Sequence, residues 1–391
     1  MKHSIEAFRL LMRRLKTAKN HSGASEQIPA HRLIRQGIPY YLNRTGYSFN
    51  PLTLFIVING KCNLRCRMCD VGQHNENSMF YKNLKGDTGG DFPIERFKTL
   101  MDEVQHFKPF IGLTTTEPFL YPHIFDAVDY ATHRGMPVNI TTNGTLIEKH
   151  IDEIFESGLH RLSISLDGPA RIHDKMRGVP GVYDKVIKGI ERLKEEKLRR
   201  KSKYPYLYIS SFVCDTNHQH LLEYVSNLPS NAIERLNMKL MVFTTQGIVE
   251  KHNQKYGDIL PATVSCVPED FSPYDIDVDV LYEQAKEINE KYGDFCTLYF
   301  EPDREKLYKY FHEPDQFMDA TKCVFPWFVS QITANGDLIT LTRCYNITLG
   351  NIMDRPFAEA WNGSQMRDFR KRLQKKGRFD GCSRCECMMS Y

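Results

Sequence analysis

Three cysteines crowd one short stretch, Lys61-Cys62-Asn63-Leu64-Arg65-Cys66-Arg67-Met68-Cys69-Asp70, with the spacing C-x3-C-x2-C. Thiolates are soft anionic ligands, and three on one loop can grip three corners of an iron–sulfur cube. The stretch offers no fourth thiol, so one iron would stay open to another molecule. A structural zinc site takes four protein ligands, and bacterial ferredoxins space their first cysteines differently. The plainer alternative is a zinc knob or three incidental thiols. A second set, Cys323, Cys344, Cys382 and Cys385, follows the pattern C-x20-C-x37-C-x2-C, with Cys387 able to replace Cys385. Four thiolates can enclose one cluster or one zinc ion, and the ligand set alone does not separate the two. Cys214, Cys266 and Cys296 stand alone, and a buried small hydrophobe is the default for each. Cys214 closes a strand, which also makes it a candidate hydrogen donor or base.

These residues need elements to position them. Leu52–Asn59 is a nearly continuous apolar, β-branched run, the pattern of a strand buried on both faces, and the first cysteine cluster follows it directly. Pro93 then opens a helix, with Ile94, Phe97, Met101 and Val104 at helical spacing. Strands are expected at Phe110–Thr114, Val138–Thr142, Arg161–Leu166, Leu207–Val213 and Leu236–Phe243, with helices near 123–134, 147–157, 181–198 and 217–227. Six β/α units of this kind imply a parallel sheet, open or closed into a full or partial barrel. Active-site groups then belong where the strands end. Residues 246–320 break the rhythm with Pro261, Pro268, Pro273 and Pro302 and one clear helix at 279–292; they read as a connecting region covering the barrel mouth. Residues 321–391 hold both tryptophans and five of the eleven cysteines, and read as a small second domain. Its hairpin, Val329–Thr333 and Asp337–Thr342, turns at Asn335-Gly336, a strong two-residue turn signal. A helix starts at Phe357–Trp361.

The first cluster and its place after strand one resemble the radical S-adenosylmethionine (SAM) family over about residues 50–245. The resemblance implies an α/β fold, a partial (β/α)6 TIM-like barrel, with a [4Fe–4S] cluster on Cys62, Cys66 and Cys69. Its open iron would chelate SAM, and one electron would split the sulfonium to a 5′-deoxyadenosyl radical that abstracts hydrogen from substrate. Thr115-Thr116-Glu117-Pro118 looks like the family's Gly-Gly-Glu-Pro motif beside the SAM amino group, with both glycines replaced. Thr141-Thr142-Asn143-Gly144 and Ser165-Leu166-Asp167-Gly168 resemble turns bearing ribose contacts, through Asn143, Ser165 and Asp167. Individually, each also fits ordinary turn chemistry. Arg177 sits where an Arg can meet the SAM carboxylate, and Met68 stands where an aromatic often flanks adenine. The C-terminal set, with Pro326-Trp327 and Leu349-Gly350-Asn351-Ile352, resembles the twitch form of SPASM/twitch α+β domains. That implies a second, fully ligated [4Fe–4S] cluster on Cys323, Cys344, Cys382 and Cys385.

Composition sets the outer limits. With 391 residues, two or three domains are expected, and no disulfide is needed to hold the core. Lys plus Arg at 52 against Asp plus Glu at 48 is too balanced to argue for nucleic acid. No apolar run reaches membrane-spanning length, and an odd cysteine count without a signal peptide points to the reducing cytoplasm. Residues 1–20 carry Ile5, Phe8, Leu11 and Leu15 on one face among basic residues. They read as a helix docked on the barrel or, alternatively, as a peripheral membrane contact. Residues 1–49 thus form an N-terminal helix and linker. By domain analogy, the leading function is a radical SAM oxidoreductase on a small polar, carbohydrate- or aminocyclitol-like substrate, the second cluster taking the second electron and a flavodoxin or ferredoxin supplying the first. Maturation of a ribosomal peptide and modification of a lipid or head group are the alternatives. A non-enzymatic reading is an iron–sulfur electron carrier or zinc-bound scaffold.

Overall fold

The computed structural model describes residues 30–85, 90–269, 271–340, 345 and 347–385. The amphipathic stretch 1–20 therefore lies outside the described residues, as do Cys344 and Cys387. One nine-stranded sheet organises the chain, in the order β7-β6-β5-β4-β3-β2-β1-β8-β9. Its strands are β1 (Thr53–Ile56), β2 (Phe110–Leu113), β3 (Val138–Thr142), β4 (Arg161–Ser165), β5 (Tyr206–Val213), β6 (Arg235–Leu240), β7 (Cys296–Leu298), β8 (Val329–Ile332) and β9 (Leu338–Ile339). Every pairing is parallel except the antiparallel β8–β9 hairpin. Helices connect successive strands, as parallel pairing demands.

The sheet has two chemically distinct faces, because side chains alternate along a strand. Leu54, Ile56, Ile111, Leu113, Ile140, Leu162, Ile164, Ile209 and Leu236 are wholly buried. The helices lay their apolar stripes on this face; Val186, Ile190 and Leu193 of Val182–Arg199 are examples. Burying one such aliphatic side chain stabilises the fold by about 1.5–3 kcal/mol. The alternate positions mix half-exposed polar residues, Thr141 on β3, Ser163 and Ser165 on β4, Ser210 on β5, Asn237 and Lys239 on β6, with the aromatic Phe55, Phe110 and Phe212. This is the concave inner face. Arg161 reaches across it, its guanidinium 4.7 Å from the Phe110 ring of β2 and 5.1 Å from the Tyr208 ring of β5.

Two expectations about organisation change. The connecting region is not merely a cover. It contributes helix Gln246–Tyr256, helix Val278–Tyr292, strand β7 on the β6 edge and helix Arg304–His312, so the barrel carries a seventh parallel strand. That strand has three residues, too short for any periodicity to show. The C-terminal hairpin also joins the barrel sheet, pairing with β1 from Thr53↔Val329 to Ile56↔Ile332. The chain reverses at Asn335-Gly336 as expected, but through a longer loop than a two-residue turn. Of that pair only Gly336 has positive φ (+80°). Its N–H donates to Thr333 O at 2.9 Å, and Thr333 N–H donates to Asp337 O at 2.9 Å, the form of a turn closed by a left-handed glycine. Arg370 of helix Ser364–Lys376 locks this end, donating to the carbonyls of Pro326 (2.8 Å), Trp361 (3.0 Å) and Gly46 (3.2 Å).

Candidate functional site

The loop carrying Cys62, Cys66 and Cys69 leaves the carboxyl end of β1 and is held from all sides. Arg67 N–H donates to Met176 O at 2.8 Å, and its guanidinium grips Asp215 (2.8 and 2.9 Å) and Thr216 Oγ1 (2.7 Å) beyond β5. Asp70 is buried and accepts from Ser265 Oγ (2.7 Å) and Cys266 N (2.9 Å), tying the loop to the connecting region. Gly72 packs so tightly that an added Cβ would stand 2.6 Å from Cys66 N.

Cys62 is exposed, Cys69 half-buried and Cys66 buried. Burial raises the Cys66 thiol, while the nearby Arg177 cation opposes that rise and the Cys62 thiol adds to it. Neighbouring atoms that desolvate its sulfur likewise raise the Cys62 thiol, although the residue keeps exposed surface, and it feels Glu117, Cys69 and Arg177. The three thiols, one carboxylate and one guanidinium therefore share one electrostatic neighbourhood. Arg177 Nη1 lies 3.7 Å from Cys66 Sγ. A soft thiol set with a buried cation against one sulfur fits an iron–sulfur cluster, since the cation offsets negative charge gathered on the loop.

Glu117 is fully buried. Its carboxylate accepts from Thr142 Oγ1 (2.8 Å), Asn143 N (2.8 Å) and Phe119 N (3.1 Å), joining the ends of β2 and β3. Burial pushes this carboxyl up to about 7 against those donors. Thr115 has φ +93° and Thr116 Oγ1 donates to Asn59 O at 2.8 Å. Asn143 is a turn residue: Nδ2 donates to Asn63 (2.7 Å), and Oδ1 accepts from Thr145 N (3.0 Å) and Oγ1 (2.7 Å). Asp167 and Arg177, expected at ribose and carboxylate, form a buried ion pair with each other. Asp167 also accepts from Phe212 N at 2.9 Å. Ser165, opposite Ser210 across β4 and β5, and Met68 are half-buried. Among the eight residues expected at SAM, then, Met68, Thr115, Thr116 and Ser165 keep open surface, the two threonine hydroxyls donating to Thr114 O and Asn59 O, whereas Glu117, Asn143, Asp167 and Arg177 are buried and engaged by the protein. Cys214 directly follows β5 but is buried, and burial, with Asp215 adding, pushes its thiol up to about 12. That is the wrong state for a base near neutral pH.

At the second site, Cys382 and Cys385 occupy one tight turn, Cys385 N donating to Cys382 O at 3.2 Å. Cys323 N donates to Gly377 O at 2.8 Å, just upstream of that turn. Arg384, between the paired cysteines, donates to the carbonyls of Lys309 (2.8 Å), Tyr310 (2.5 Å), Glu313 (2.6 Å) and Gln316 (2.7 Å), binding the turn to the end of helix Arg304–His312. Tyr345 ties the second site to helix Met79–Lys85. Its hydroxyl lies 3.1 Å from Cys382 Sγ, and its carbonyl accepts from Asn83 at 3.0 Å, on the helix Met79–Lys85 after the first cysteine loop. Arg67, Asp70, Arg384 and Tyr345 were not singled out from sequence, although the first three lie within or beside the cysteine motifs.

Comparison with known proteins gives the same two parts. Residues 56–212 match the radical SAM superfamily, and residues 323–386 match SPASM, an iron–sulfur cluster-binding domain. An AdoMet-dependent heme synthase of Methanosarcina barkeri is 26% identical over 343 residues, 83% of this chain and 85% of that protein. The enzyme of that name from Oleidesulfovibrio alaskensis is 33% identical over 141 residues, spanning 35% of this chain and about a third (34%) of that protein. SuiB of Streptococcus suis, solved with S-adenosylmethionine, superposes with a TM-score of 0.60 at 16% identity, covering 95% of this chain and 78% of SuiB. The protein anSMEcpe with bound AdoMet gives 0.57 at 18% identity, covering 87% and 88%. At these identities the structural likeness is one of fold.

Proposed function

We propose that this chain, a radical SAM protein with a C-terminal SPASM-type iron–sulfur domain, is an oxidoreductase acting on a small polar substrate held in its barrel lumen. With clusters bound, the first cysteine site supplies the electron that cleaves SAM to a 5′-deoxyadenosyl radical, and the second offers a place for the electron an oxidised substrate gives up. The observation that carries the reading is the polarity of the lumen. Its half-exposed inner positions include the polar Thr141, Ser163, Ser165, Ser210, Asn237 and Lys239 beside the aromatic Phe55, Phe110 and Phe212, and a buried Asn237 Oδ1 has no protein donor among the described residues. Such groups orient hydroxyls and amines, and they would oppose a purely apolar ligand. Met68, Thr115, Thr116 and Ser165 remain our candidates for direct SAM contact, with Glu117, Asn143, Asp167 and Arg177 shaping the walls behind them. A flavodoxin- or ferredoxin-type donor belongs to the same proposal.

The test is coupling. Reconstituted protein should release 5′-deoxyadenosine faster with its substrate than without. Asn237→Leu and Ser210→Val should abolish that acceleration while leaving the slow substrate-free cleavage intact. Unchanged acceleration in both variants removes the lumen as the substrate site. The near end-to-end alignment with a heme synthase favours a second reading, in which the substrate is an iron porphyrin. Titration with an iron porphyrin, followed by its Soret absorbance, separates the two. Stoichiometric binding supports the second reading, and no binding leaves the first.

A further inference from the structure

Arg177 is held against the cysteine loop by a close backbone contact. It ends helix Ala170–Arg177, and the next residue, Gly178, has φ +71°. A Cβ on Gly178 would stand 2.3 Å from Arg65 O. Met176 O accepts from Arg67 N at 2.8 Å. Helix end and loop are thus pressed together, and the guanidinium is delivered to Cys66 Sγ at 3.7 Å. Its other terminal nitrogen donates to Asp167. Asp167 is itself pinned: its carboxylate accepts from Phe212 N (2.9 Å), its N–H donates to His173 Nδ1 (3.2 Å) and its carbonyl accepts from Asn217 (2.7 Å). His173, buried beside the cation, is pushed down to about 2 and stays neutral. The result is a rigid, buried charge dipole whose positive end faces one sulfur.

A buried ion pair is weak evidence for stability in itself, because desolvation opposes the attraction. Its orientation is the informative part. Hydrogen bonds to cluster sulfurs and net local charge are main determinants of iron–sulfur potential, and groups behind the ligands tune a metal site. We infer that Arg177 and Asp167 act as opposed positioning residues that set the reduction potential of the cluster on Cys62, Cys66 and Cys69: the positive charge of Arg177 beside Cys66 raises it, and the negative charge of Asp167 moderates the rise. The inference rests on the radical SAM reading and assigns Arg177 a task at the cluster ligand.

The experiment is a potentiometric titration of anaerobically reconstituted full-length protein, followed by electron paramagnetic resonance and paired with iron analysis. The relevant signal is the one absent from Cys62→Ala. Arg177→Gln should move the midpoint negative by at least tenfold in the reduction equilibrium, 59 mV for a one-electron couple. Asp167→Asn should move it positive. Iron content should match wild type in both. A merely structural pair would shift neither midpoint, or would lose iron in both variants. Midpoints within threefold of wild type, or two shifts of the same sign, overturn the inference. If Arg177→Gln fails to hold iron, Arg177→Lys decides: a wild-type midpoint supports the charge role, and a tenfold negative shift despite the retained charge refutes it. Wild-type protein that binds no cluster through Cys62, Cys66 and Cys69 overturns the radical SAM reading and this inference together, whereas a normal cluster with unmoved midpoints overturns this inference alone.

Discussion

Neighbouring threonines should respond in opposite directions to the same substitution. Thr115 adopts φ +93°, a region where a β-branched side chain is strained by about 1–3 kcal/mol. Glycine would relieve that strain while lowering stability by about 0.5–1 kcal/mol through the entropy of the unfolded chain. The Thr115 hydroxyl donates only to the adjacent, part-exposed Thr114 carbonyl, which water can serve instead, so the balance for Thr115→Gly is a gain of about 1 kcal/mol. Thr116 has no such strain, and its hydroxyl donates to Asn59 O at 2.8 Å and Oδ1 at 3.0 Å. Thr116→Gly removes that anchor and adds the glycine entropy, for a loss of about 1.5–2.5 kcal/mol. Unfolding entropy for 391 residues is about 0.8 kcal/mol/K. The expected shifts are therefore about +1 °C for Thr115→Gly and −2 to −3 °C for Thr116→Gly. Calorimetry on metal-free protein reads both, with denaturant midpoints as a second measure. Shifts of the same sign, or a destabilised Thr115→Gly, would refute the claim that this turn holds a glycine-type conformation with a threonine in it.

Three further outcomes follow from the contacts around the two sites. Glu117 has its carboxyl raised by burial to about 7, so the native state binds the extra proton and stability should fall as pH rises from about 4.5 to 7, by up to about 3 kcal/mol. Glu117→Gln should flatten that slope in a denaturation series from pH 5 to 8, and equal slopes in both proteins would contradict it. Asp70→Ala removes the acceptor for Ser265 Oγ and Cys266 N, a loss of about 2–3 kcal/mol; limited proteolysis should then speed up between residues 257 and 277, and an unchanged cleavage rate would count against the tether. Arg384→Met releases four carbonyl contacts at the Cys382–Cys385 turn. Iron should fall by about half while SAM cleavage persists; full iron content would show that this clamp does not shape the second site.

The parallel strands were legible because each outer face is a run of Val, Ile and Leu buried under helices, and all six expected core strands form. The cysteine loop was legible from spacing and from its place after β1. What the sequence withheld is tertiary. Arg177 and Cys66 lie far apart in the chain, and only the meeting of helix Ala170–Arg177 with the loop brings them together. Asp167 reads as a turn aspartate, since Asp-Gly is ordinary turn chemistry, and its burial depends on β5 supplying Phe212 N. Cys214 sits where expected, yet burial decides its protonation, and burial is not written in spacing. The hairpin at Asn335-Gly336 was recognisable locally, but its partner β1 could not be read from a local pattern.

We propose that Cys62, Cys66 and Cys69 hold the cluster at which SAM is cleaved. Anaerobic reconstitution should load about eight irons per chain as two cubes, and dithionite with SAM should release 5′-deoxyadenosine. The Cys62→Ala/Cys66→Ala/Cys69→Ala variant should keep about half the iron and release none. SAM cleavage by that variant, or wild-type protein that takes up no iron, would contradict the account.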